Sequence, residues 1–252
     1  MSKILDNRNF MKCPIFKEGM ANSDQSNGVP HPEHGKRYDK EMIILDGFET
    51  GSKHNLEFLY DKRRSERAYN PNEPMTQAQL AFLLWSAAGI QMYRGSTNVA
   101  TLRPTPSGRA RHPFEIYIAV QNVVGLEPGL YHYRPVENVG EKKVSLTYLK
   151  GFENYKTQIN DMLAGQVWAV DASIVLMVTC IAYRAEWRYT SMAHRVMLID
   201  LGHLGQNVML SAADMGLGSC CCAAYNQPLC DEFLEINGVD EYSVYLIPVG
   251  KL

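Results

Sequence analysis

The chain has 252 residues, a length that fits one large domain or two small ones. Its 25 lysine and arginine residues nearly balance 27 aspartate and glutamate residues, and this net charge of −2 argues against nucleic acid or an anionic membrane surface as the main partner. An apolar fraction of 46% can fill a core and excludes bulk disorder. The start of the sequence lacks an apolar signal segment, and the longest apolar run, 173–183, is too short to span a membrane. With six cysteines, three of them adjacent, the composition predicts a cytoplasmic protein without a disulfide framework.

The N-terminal part differs from the rest of the chain. Residues 19–41 are polar, rich in turn-forming residues and without a periodic apolar face, which predicts an extended arm or mobile loop. The segment after it, Met42–Phe48 (MIILDGF), can dock as a short strand, which leaves ordering of the arm by a partner subunit open. No repeat or linker divides the remainder, so we expect an N-terminal arm, 1–50, followed by one domain, 51–252.

Three segments show helical periodicity. Asn55–Tyr60 predicts a short amphipathic helix. In Thr76–Ala88 the apolar residues share one face, the first residue and Gln79 match a capping box, and Gly89 suits a left-handed C-terminal position. Ala193–Met215 is apolar nearly all round, which predicts a long helix buried in the core or in a subunit interface.

Five segments rich in β-branched and aromatic residues predict strands. They are Phe114–Val120, Leu130–Tyr133, Val144–Leu149, Ser173–Tyr183 and Ser243–Val249. Ser173–Tyr183 has almost no polar alternation, so both of its faces are expected to be covered. Because helices and strands mix without a strict βαβ rhythm, the predicted fold class is α+β.

Three further segments carry chemical signals. Arg63–Arg67 (RRSER) places three guanidinium groups and a hydroxyl group close together, which suits phosphate, although a solvated charged loop is the simpler interpretation. Pro104–Pro113 is a stiff loop in which Ser107 and Gly108 would let the backbone approach a flat ligand, or it is only a connection. Gly216–Asn226 consists almost wholly of small residues, and its glycines follow a helix, which excludes a dinucleotide-binding loop.

These segments, in this order, resemble the FMN-dependent nitroreductase family over about residues 55–251. Four further stretches carry the same resemblance: LLWSAAGI, GLYHY, RYTSMAHRVMLIDLGHLGQNVM and the terminal PVGK. Within that family the chain most resembles the SagB-type branch, which includes the azoline dehydrogenases. The resemblance implies a nitroreductase-like α+β fold, with a central, mostly antiparallel sheet flanked by helices. It also implies a homodimer with long buried interface helices and FMN between the two subunits.

The resemblance assigns a cofactor site to the basic residues. Arg63 and Ser65 would hold the FMN phosphate, with Arg64 in the same cofactor-binding segment and Lys251 contributing from the C-terminus. Arg67 would lie near the pyrimidine edge of the flavin, where a cation stabilises the negative charge that develops on N1 and O2.

Two other segments complete the implied cofactor site. Pro106, Ser107 and Gly108 correspond to a loop that the partner subunit lays against the flavin ring. Ala223 and Ala224 correspond to a segment whose backbone amide faces flavin N5, a role that needs no particular side chain.

The chain departs from the azoline dehydrogenases at one position. Those enzymes place a Lys-Tyr pair before the long helix, with the lysine as the candidate base, whereas this chain has Arg188 and Tyr189. Arginine stays protonated and is a poor base, so azoline oxidation by the lysine mechanism is not expected. We expect Arg188 and Trp187 to contact substrate, Arg188 by binding an anion, and Tyr189 to be the candidate catalytic proton donor.

The expected activity is FMN-dependent oxidoreduction, in which NAD(P)H reduces the flavin and a quinone, nitroaromatic or similar conjugated compound then accepts the hydride. The alternatives are a SagB-type dehydrogenase that oxidises a peptide azoline or small heterocycle, and a flavin-binding or support protein without turnover. No metal is expected, because adjacent cysteines at 220–222 cannot all face one ion and His31 and His34 fit a solvated loop. A redox role for the cysteine run stays open.

Overall fold

An antiparallel sheet forms the centre of the part of the chain that the computed structural model describes, residues 2–12, 20–45, 47, 48 and 54–252. The strands are β1 (Ile43–Leu45), β2 (Met92–Arg94), β3 (Ala100–Leu102), β4 (Phe114–Val120), β5 (Gly129–Tyr133), β6 (Val144–Lys150), β7 (Ile174–Ile181), β8 (Leu217–Ser219) and β9 (Glu241–Lys251). Strands β2 and β3 form a separate hairpin, and the other seven pair in the order β1–β6–β5–β4–β7–β9–β8. All neighbours in this sheet are antiparallel, which confirms the predicted fold class.

Helices cover both faces of the sheet. Their bounds are α1 (Ser2–Met11), α2 (Leu56–Lys62), α3 (Gln77–Ala88), α4 (Tyr155–Met162), α5 (Tyr183–Tyr189), α6 (Ala193–Asp214) and α7 (Gln227–Leu234). Alternate residues of β4 enter two separate hydrophobic clusters: Ile116 and Ile118 pack with α3 and α6, and Tyr117 and Ala119 pack with α4 and α7. This explains the near-continuous apolar runs of β4 and β7, whose faces are both buried.

Helix α3 begins as the sequence predicts and ends differently. The Thr76 side chain accepts a hydrogen bond from the Gln79 amide, and the Gln79 side chain accepts one from the Thr76 amide, which is the predicted capping box. The left-handed conformation predicted for Gly89 is wrong, because its φ is −57° and its ψ is 141°. A Cβ at Gly89 would lie only 2.5 Å from Trp85 Cδ1, so close packing on the preceding turn is what this glycine accommodates.

The described part of the N-terminal segment, including residues 20–45, packs on the body of the chain through polar contacts. The Gln25 amide donates to the Trp187 carbonyl (2.9 Å), and Lys36 Nζ lies 2.7 Å from Glu241 Oε2. Strand β1 adds to the edge of the sheet beside β6, which matches the predicted docking of this segment as a strand; Asp46 lies outside the described residues. The division into an arm, 1–50, and a domain, 51–252, stays a prediction.

A buried ionic cluster, which the sequence analysis did not find, lies within the sheet. Glu115 on β4 accepts hydrogen bonds from His132 Nε2 (2.9 Å) and from the Arg184 guanidinium group. All three side chains are nearly inaccessible to solvent. Burial opposes ionisation of Glu115, but the Arg184 charge and the hydrogen bond from His132 outweigh it and hold the pKa of this carboxyl well below its usual range. Among the described residues, no helix combines the length and apolarity needed to cross a membrane.

Candidate functional site

The basic segment Arg63–Arg67 leaves the end of α2 and runs along the edge of the sheet. The Glu66 amide donates to the Ser219 carbonyl at the end of β8 (3.0 Å), and the Asn70 amide donates to the Lys251 carbonyl at the end of β9 (2.9 Å). Chain folding thus brings the RRSER segment beside Lys251, nearly two hundred residues away in sequence. The predicted phosphate-binding residues therefore share one edge of the sheet.

The charges of this basic segment have few partners. Arg64 donates to the Arg63 carbonyl (2.8 Å) and Arg67 to the Ser65 carbonyl (3.2 Å), while the Arg67 guanidinium group lies 5.6 Å from the Trp168 ring. None of these three arginines forms an ion pair with a carboxylate of the described residues. Neutral carbonyl partners leave the positive charge uncompensated, and such a set of guanidinium groups favours an anion.

Lys251 differs from these arginines. Its ammonium group lies 3.0 Å from Glu73 Oε1, so an anion at Lys251 would compete with this carboxylate. Ser65 is exposed beside the arginines, and its hydroxyl also contacts Cys220.

Cys220, Cys221 and Cys222 follow β8 directly. Hydrogen bonds from the Cys222 thiol and the Ser65 hydroxyl, with the Arg67 guanidinium group nearby, outweigh burial and lower the pKa of the Cys220 thiol to about 6. The same contact raises the pKa of Cys222, and burial raises that of Cys221 to about 11. In the described part of the chain, no cluster of His, Cys, Asp and Glu has the geometry of a metal site.

A groove of about 400 Å³ opens beside the basic segment. Its lining includes His54, Phe58, Arg64, Met209, Ala213 and Ser219. Two sides of it are therefore α2 and the C-terminal half of α6, and the Arg64 guanidinium group belongs to its wall. The volume lies in the range of small-molecule sites, about 300–1,000 Å³.

The Pro106–Gly108 loop is held by α6. Asp200 accepts hydrogen bonds from the Ser107 hydroxyl (2.6 Å) and from the Gly108 amide (3.0 Å). A Cβ on Gly108 would lie 2.5 Å from Val196 Cγ1, so this position admits only glycine without a shift of the helix side chain. Sequence reasoning missed Asp200, and the signal was present: a carboxylate between the apolar residues of α6, whose other carboxylate, Asp214, is the last residue of the helix.

The two predicted parts of the cofactor site contact different halves of α6. Asp200 holds the Pro106–Gly108 loop, whereas Ala213 lines the groove beside Arg64. Thirteen positions separate Asp200 from Ala213, or about 20 Å along a helix axis. One chain therefore brings the basic residues together but does not bring the Pro106–Gly108 loop to them.

Ala223 and Ala224 continue from the cysteine run. Cys222 pairs with Leu246 of β9 as an isolated bridge, and the two alanines that follow are exposed. The Ala224 carbonyl accepts a hydrogen bond from Gln166 Nε2 (2.7 Å), which fixes this turn. Their exposure leaves the backbone of this segment accessible to a ligand.

Trp187, Arg188 and Tyr189 end helix α5, away from the basic segment in sequence. Trp187 is buried and donates from Nε1 to the Val29 carbonyl (2.9 Å), while Arg188 donates to the Gln25 side-chain oxygen. Burial raises the pKa of Tyr189, although a hydrogen bond from Arg188 opposes this shift, so the phenol stays protonated at neutral pH.

Comparison with known proteins identifies the family. The nitroreductase family matches residues 60–251. A protein of Methanocaldococcus jannaschii that is named as a nitroreductase is 33% identical over 205 residues, which cover 78% of this chain and 90% of the relative. The trifolitoxin-processing protein of Rhizobium leguminosarum is 28% identical over 187 residues, or 72% of this chain and 47% of the relative.

Solved structures share the fold. A chain from Anabaena variabilis, titled as a nitroreductase, superposes with a TM-score of 0.65 and 27% identity over 84% of this chain; the match spans only 42% of that chain. The Escherichia coli microcin synthetase complex with a truncated pro-microcin contains a chain that superposes with a TM-score of 0.59 and 18% identity; the match covers 99% of this chain and 92% of that one. A protein of Exiguobacterium sibiricum, described as a nitroreductase in complex with FMN, superposes with a TM-score of 0.54 and 15% identity. This match covers 81% of this chain and 90% of that one. By the extent of the family match and the agreement of the fold, the chain belongs to the nitroreductase family.

Proposed function

We propose that the protein is an FMN-dependent NAD(P)H oxidoreductase that passes a hydride to a quinone, nitroaromatic or similar conjugated acceptor. The observation that carries the proposal is the uncompensated basic segment: Arg63, Arg64 and Arg67 lie together at one edge of the sheet and have no carboxylate partner among the described residues. Family membership and the FMN complex of a structural relative support it.

The residues present fit FMN by the chemistry of their donors. A phosphate monoester needs cationic and neutral donors, and the Arg63 guanidinium group with the Ser65 hydroxyl supplies both kinds. Lys251 adds an ammonium group at the same edge. The adjoining groove, lined by Phe58 and Met209, offers apolar surface for a ring system.

Bound FMN would supply the hydride chemistry, accepting a hydride from NAD(P)H and giving it to the acceptor. Arg63 and Ser65 would hold the cofactor's phosphate, and Arg67 would supply a cation near the pyrimidine edge. The backbone of Ala223 and Ala224 would present an amide to the ring. The protonated Tyr189 phenol is the candidate proton donor to the acceptor.

A homodimer would complete the site. Because the contact of the Pro106–Gly108 loop with Asp200 lies about 20 Å along α6 from Ala213 in the groove wall, we expect the loop of one protomer to face the flavin of the other. Helix α6 exposes Leu198 and Ile199, which are 56% and 49% exposed in the single chain. Two exposed apolar residues on a long helix fit a subunit interface.

A second candidate is a SagB-type dehydrogenase that acts on a peptide azoline. The similarity to the trifolitoxin-processing protein and to a chain of the microcin synthetase complex favours it. Arg188 opposes it, since a guanidinium group is a poor base for proton abstraction. Azoline oxidation by the wild-type protein would favour this candidate, whereas oxidation only by an Arg188→Lys variant would support the first.

The decisive experiment is anaerobic reduction of the purified protein. We expect a flavin absorption spectrum that NADH or NADPH bleaches and that an acceptor restores. Arg63→Ala with Arg67→Ala should remove FMN, while Arg37→Ala, at an exposed arginine near Glu33 and Glu137, should retain it. A colourless protein that takes up no FMN contradicts the proposal, and a yellow protein that neither nucleotide bleaches indicates a flavin-binding protein or the second candidate.

A further inference from the structure

A second cluster of arginines lies on the other side of the Pro106–Gly108 loop. Arg109 and Arg111 follow this loop, and the Arg111 Nε donates to the Arg109 carbonyl (3.2 Å). The Arg111 guanidinium group stacks 5.0 Å from the Trp187 ring, and the Arg188 guanidinium group lies 5.8 Å from the neighbouring Tyr189 ring. Residues of a loop and of α5 thus converge.

The positive charge of this cluster has only neutral partners in the described part of the chain. Arg111 donates to the Val99 carbonyl, and Arg188 donates to the Gln25 amide oxygen, while Arg188 Nε is buried without a hydrogen-bond partner. Arg111 is only 6% exposed, and burial together with the nearby Arg188 charge lowers its pKa. Two guanidinium groups that repel each other in a poorly solvated place are costly unless an anion joins them.

The backbone that carries these arginines is strained. Arg109, Ala110 and His112 have φ values of 49°, 54° and 44°, which is the left-handed region that non-glycine residues rarely adopt. Such conformations persist where the surrounding structure imposes them, and they cluster at ligand sites. The loop is therefore held in a shape that directs Arg109 and Arg111 toward α5.

We propose that Arg109, Arg111 and Arg188 bind an oxyanion that one of the two substrates carries, either a carboxylate of the acceptor or the 2′-phosphate of NADPH. The proposal rests on the proposed function for the identity of these substrates. Tyr189 hydrogen-bonds Arg188, and its hydroxyl lies 3.2 Å from the place that a Cβ on Gly108 would occupy. An anion on the arginines would thus lie beside the loop that is expected to face the partner's flavin.

Calorimetric binding to the FMN-loaded protein tests the site without turnover. The probes are two pairs that differ in one anionic group: 4-nitrobenzoate with 4-nitrobenzamide, and NADP⁺ with NAD⁺. We expect the anionic member of one pair to bind at least about tenfold more tightly than its neutral or less charged counterpart. The pair that shows this preference identifies which substrate carries the oxyanion. Arg111→Gln and Arg188→Gln should each weaken this member about tenfold, since each removes a charge-assisted contact.

The control is Arg37→Gln, which removes the same charge from an exposed arginine that already lies near Glu33 and Glu137, and it should leave both pairs unchanged. Arg188→Lys retains the charge and should keep part of the preference. If Arg111→Gln fails to fold, Arg109→Gln at an exposed position and Arg188→Gln at a half-buried position test whether the cluster binds the anion. The inference is overturned if wild-type protein prefers neither anionic probe, or if the glutamine variants keep the full preference.

The flavin spectrum of the same samples separates this inference from the proposed function. If the protein takes up no FMN but still prefers an anionic probe, the arginine site is supported and the proposed flavin enzyme is contradicted. If the protein is yellow and NAD(P)H reduces it, but it prefers no anionic probe, the proposed enzyme is supported and the arginine site is contradicted.

Discussion

The Asp200 carboxylate lies 2.6 Å from the Ser107 hydroxyl and also accepts the Gly108 amide, so helix α6 determines where the Pro106–Gly108 loop lies. Asp200→Ala would leave both donors without their acceptor in a largely buried place. We expect a loss of about 1–3 kcal/mol in the free energy of unfolding. Turnover should fall while FMN content stays unchanged, because the phosphate-binding residues lie elsewhere.

Ser107→Ala tests whether the two residues act as one unit. Ser107 Oγ also accepts the His112 amide (2.9 Å), so Ser107→Ala has a cost of its own. If Ser107 and Asp200 act as one unit, the double variant Ser107→Ala with Asp200→Ala loses less stability than the sum of the two single losses. Denaturant unfolding of the four proteins gives the coupling energy. Simple additivity of the two losses would show that Asp200 does not hold the loop through Ser107.

The exposed apolar residues Leu198 and Ile199 of α6 predict a subunit interface. Ile199→Glu places a charge there, and we expect a dimer to dissociate into monomers that also lose turnover, since each site would lack its partner loop. Size-exclusion chromatography with light scattering measures the mass. Val239→Glu is the matched control, because Val239 is 76% exposed in a loop before β9 and its replacement should change neither mass nor turnover.

The sequence predicts those elements whose signals are local. The capping pair of Thr76 and Gln79 and the apolar strand Phe114–Val120 depend on neighbours within a few residues, so the sequence predicts both with their correct bounds. It also reveals the basic segment Arg63–Arg67, because the charges of this segment are adjacent in sequence. The left-handed conformation predicted for Gly89 is wrong because packing against Trp85, and not a special backbone conformation, decides the role of this glycine.

Long-range partners could not be predicted in the same way. Lys36 meets Glu241 across more than two hundred residues, and nothing in the polar N-terminal segment marks either residue for the other. Asp200 stands out in the sequence as a carboxylate in an apolar helix, but only the fold shows which loop it holds. Likewise, Arg111 and Arg188 approach each other only because the loop and α5 converge.

The buried cluster of Glu115 and Arg184 predicts a large stability effect. Arg184→Met leaves the Glu115 carboxylate buried without its guanidinium partner, which we expect to cost about 3–5 kcal/mol of unfolding free energy. Adding Glu115→Gln to Arg184→Met should recover much of this loss. Lys150→Met removes a cation from the exposed pair with Glu235 and should have little effect, and a comparable loss there would contradict the role of burial.

The same cluster predicts the acid response of the fold. The pKa of Glu115 in the folded protein lies below its ordinary value of 4.5, so the folded state binds this proton less readily than the unfolded state. Its contribution to stability is therefore complete above pH 4.5 and is lost as the pH falls below that value. Glu115→Gln should flatten the pH dependence of the unfolding free energy in this acidic range, and an unchanged slope would contradict the assignment.

The Cys220 thiol is expected to lose its proton at a much lower pH than the other described cysteines. Its thiol pKa is lowered to about 6, whereas burial raises those of Cys180 and Cys230 to about 12. Thiolate absorbance in a Cys13→Ser background, which removes a cysteine outside the described residues, should show one inflection near pH 6. Cys222→Ala should move it upward, because the hydrogen bond from Cys222 is the largest cause of the shift.

This titration also reports on the proposed phosphate site. Ser65 and Arg67 stabilise the Cys220 thiolate, and of these two residues Ser65 is the one expected to hold the FMN phosphate. Inorganic phosphate bound at Ser65 would draw this donor away and add negative charge, so it should raise the pKa of Cys220 in the wild-type chain. In Ser65→Ala the starting pKa should be higher and phosphate should have a smaller effect. An inflection that phosphate leaves in place in the wild-type chain would mean that the anion binds away from Ser65.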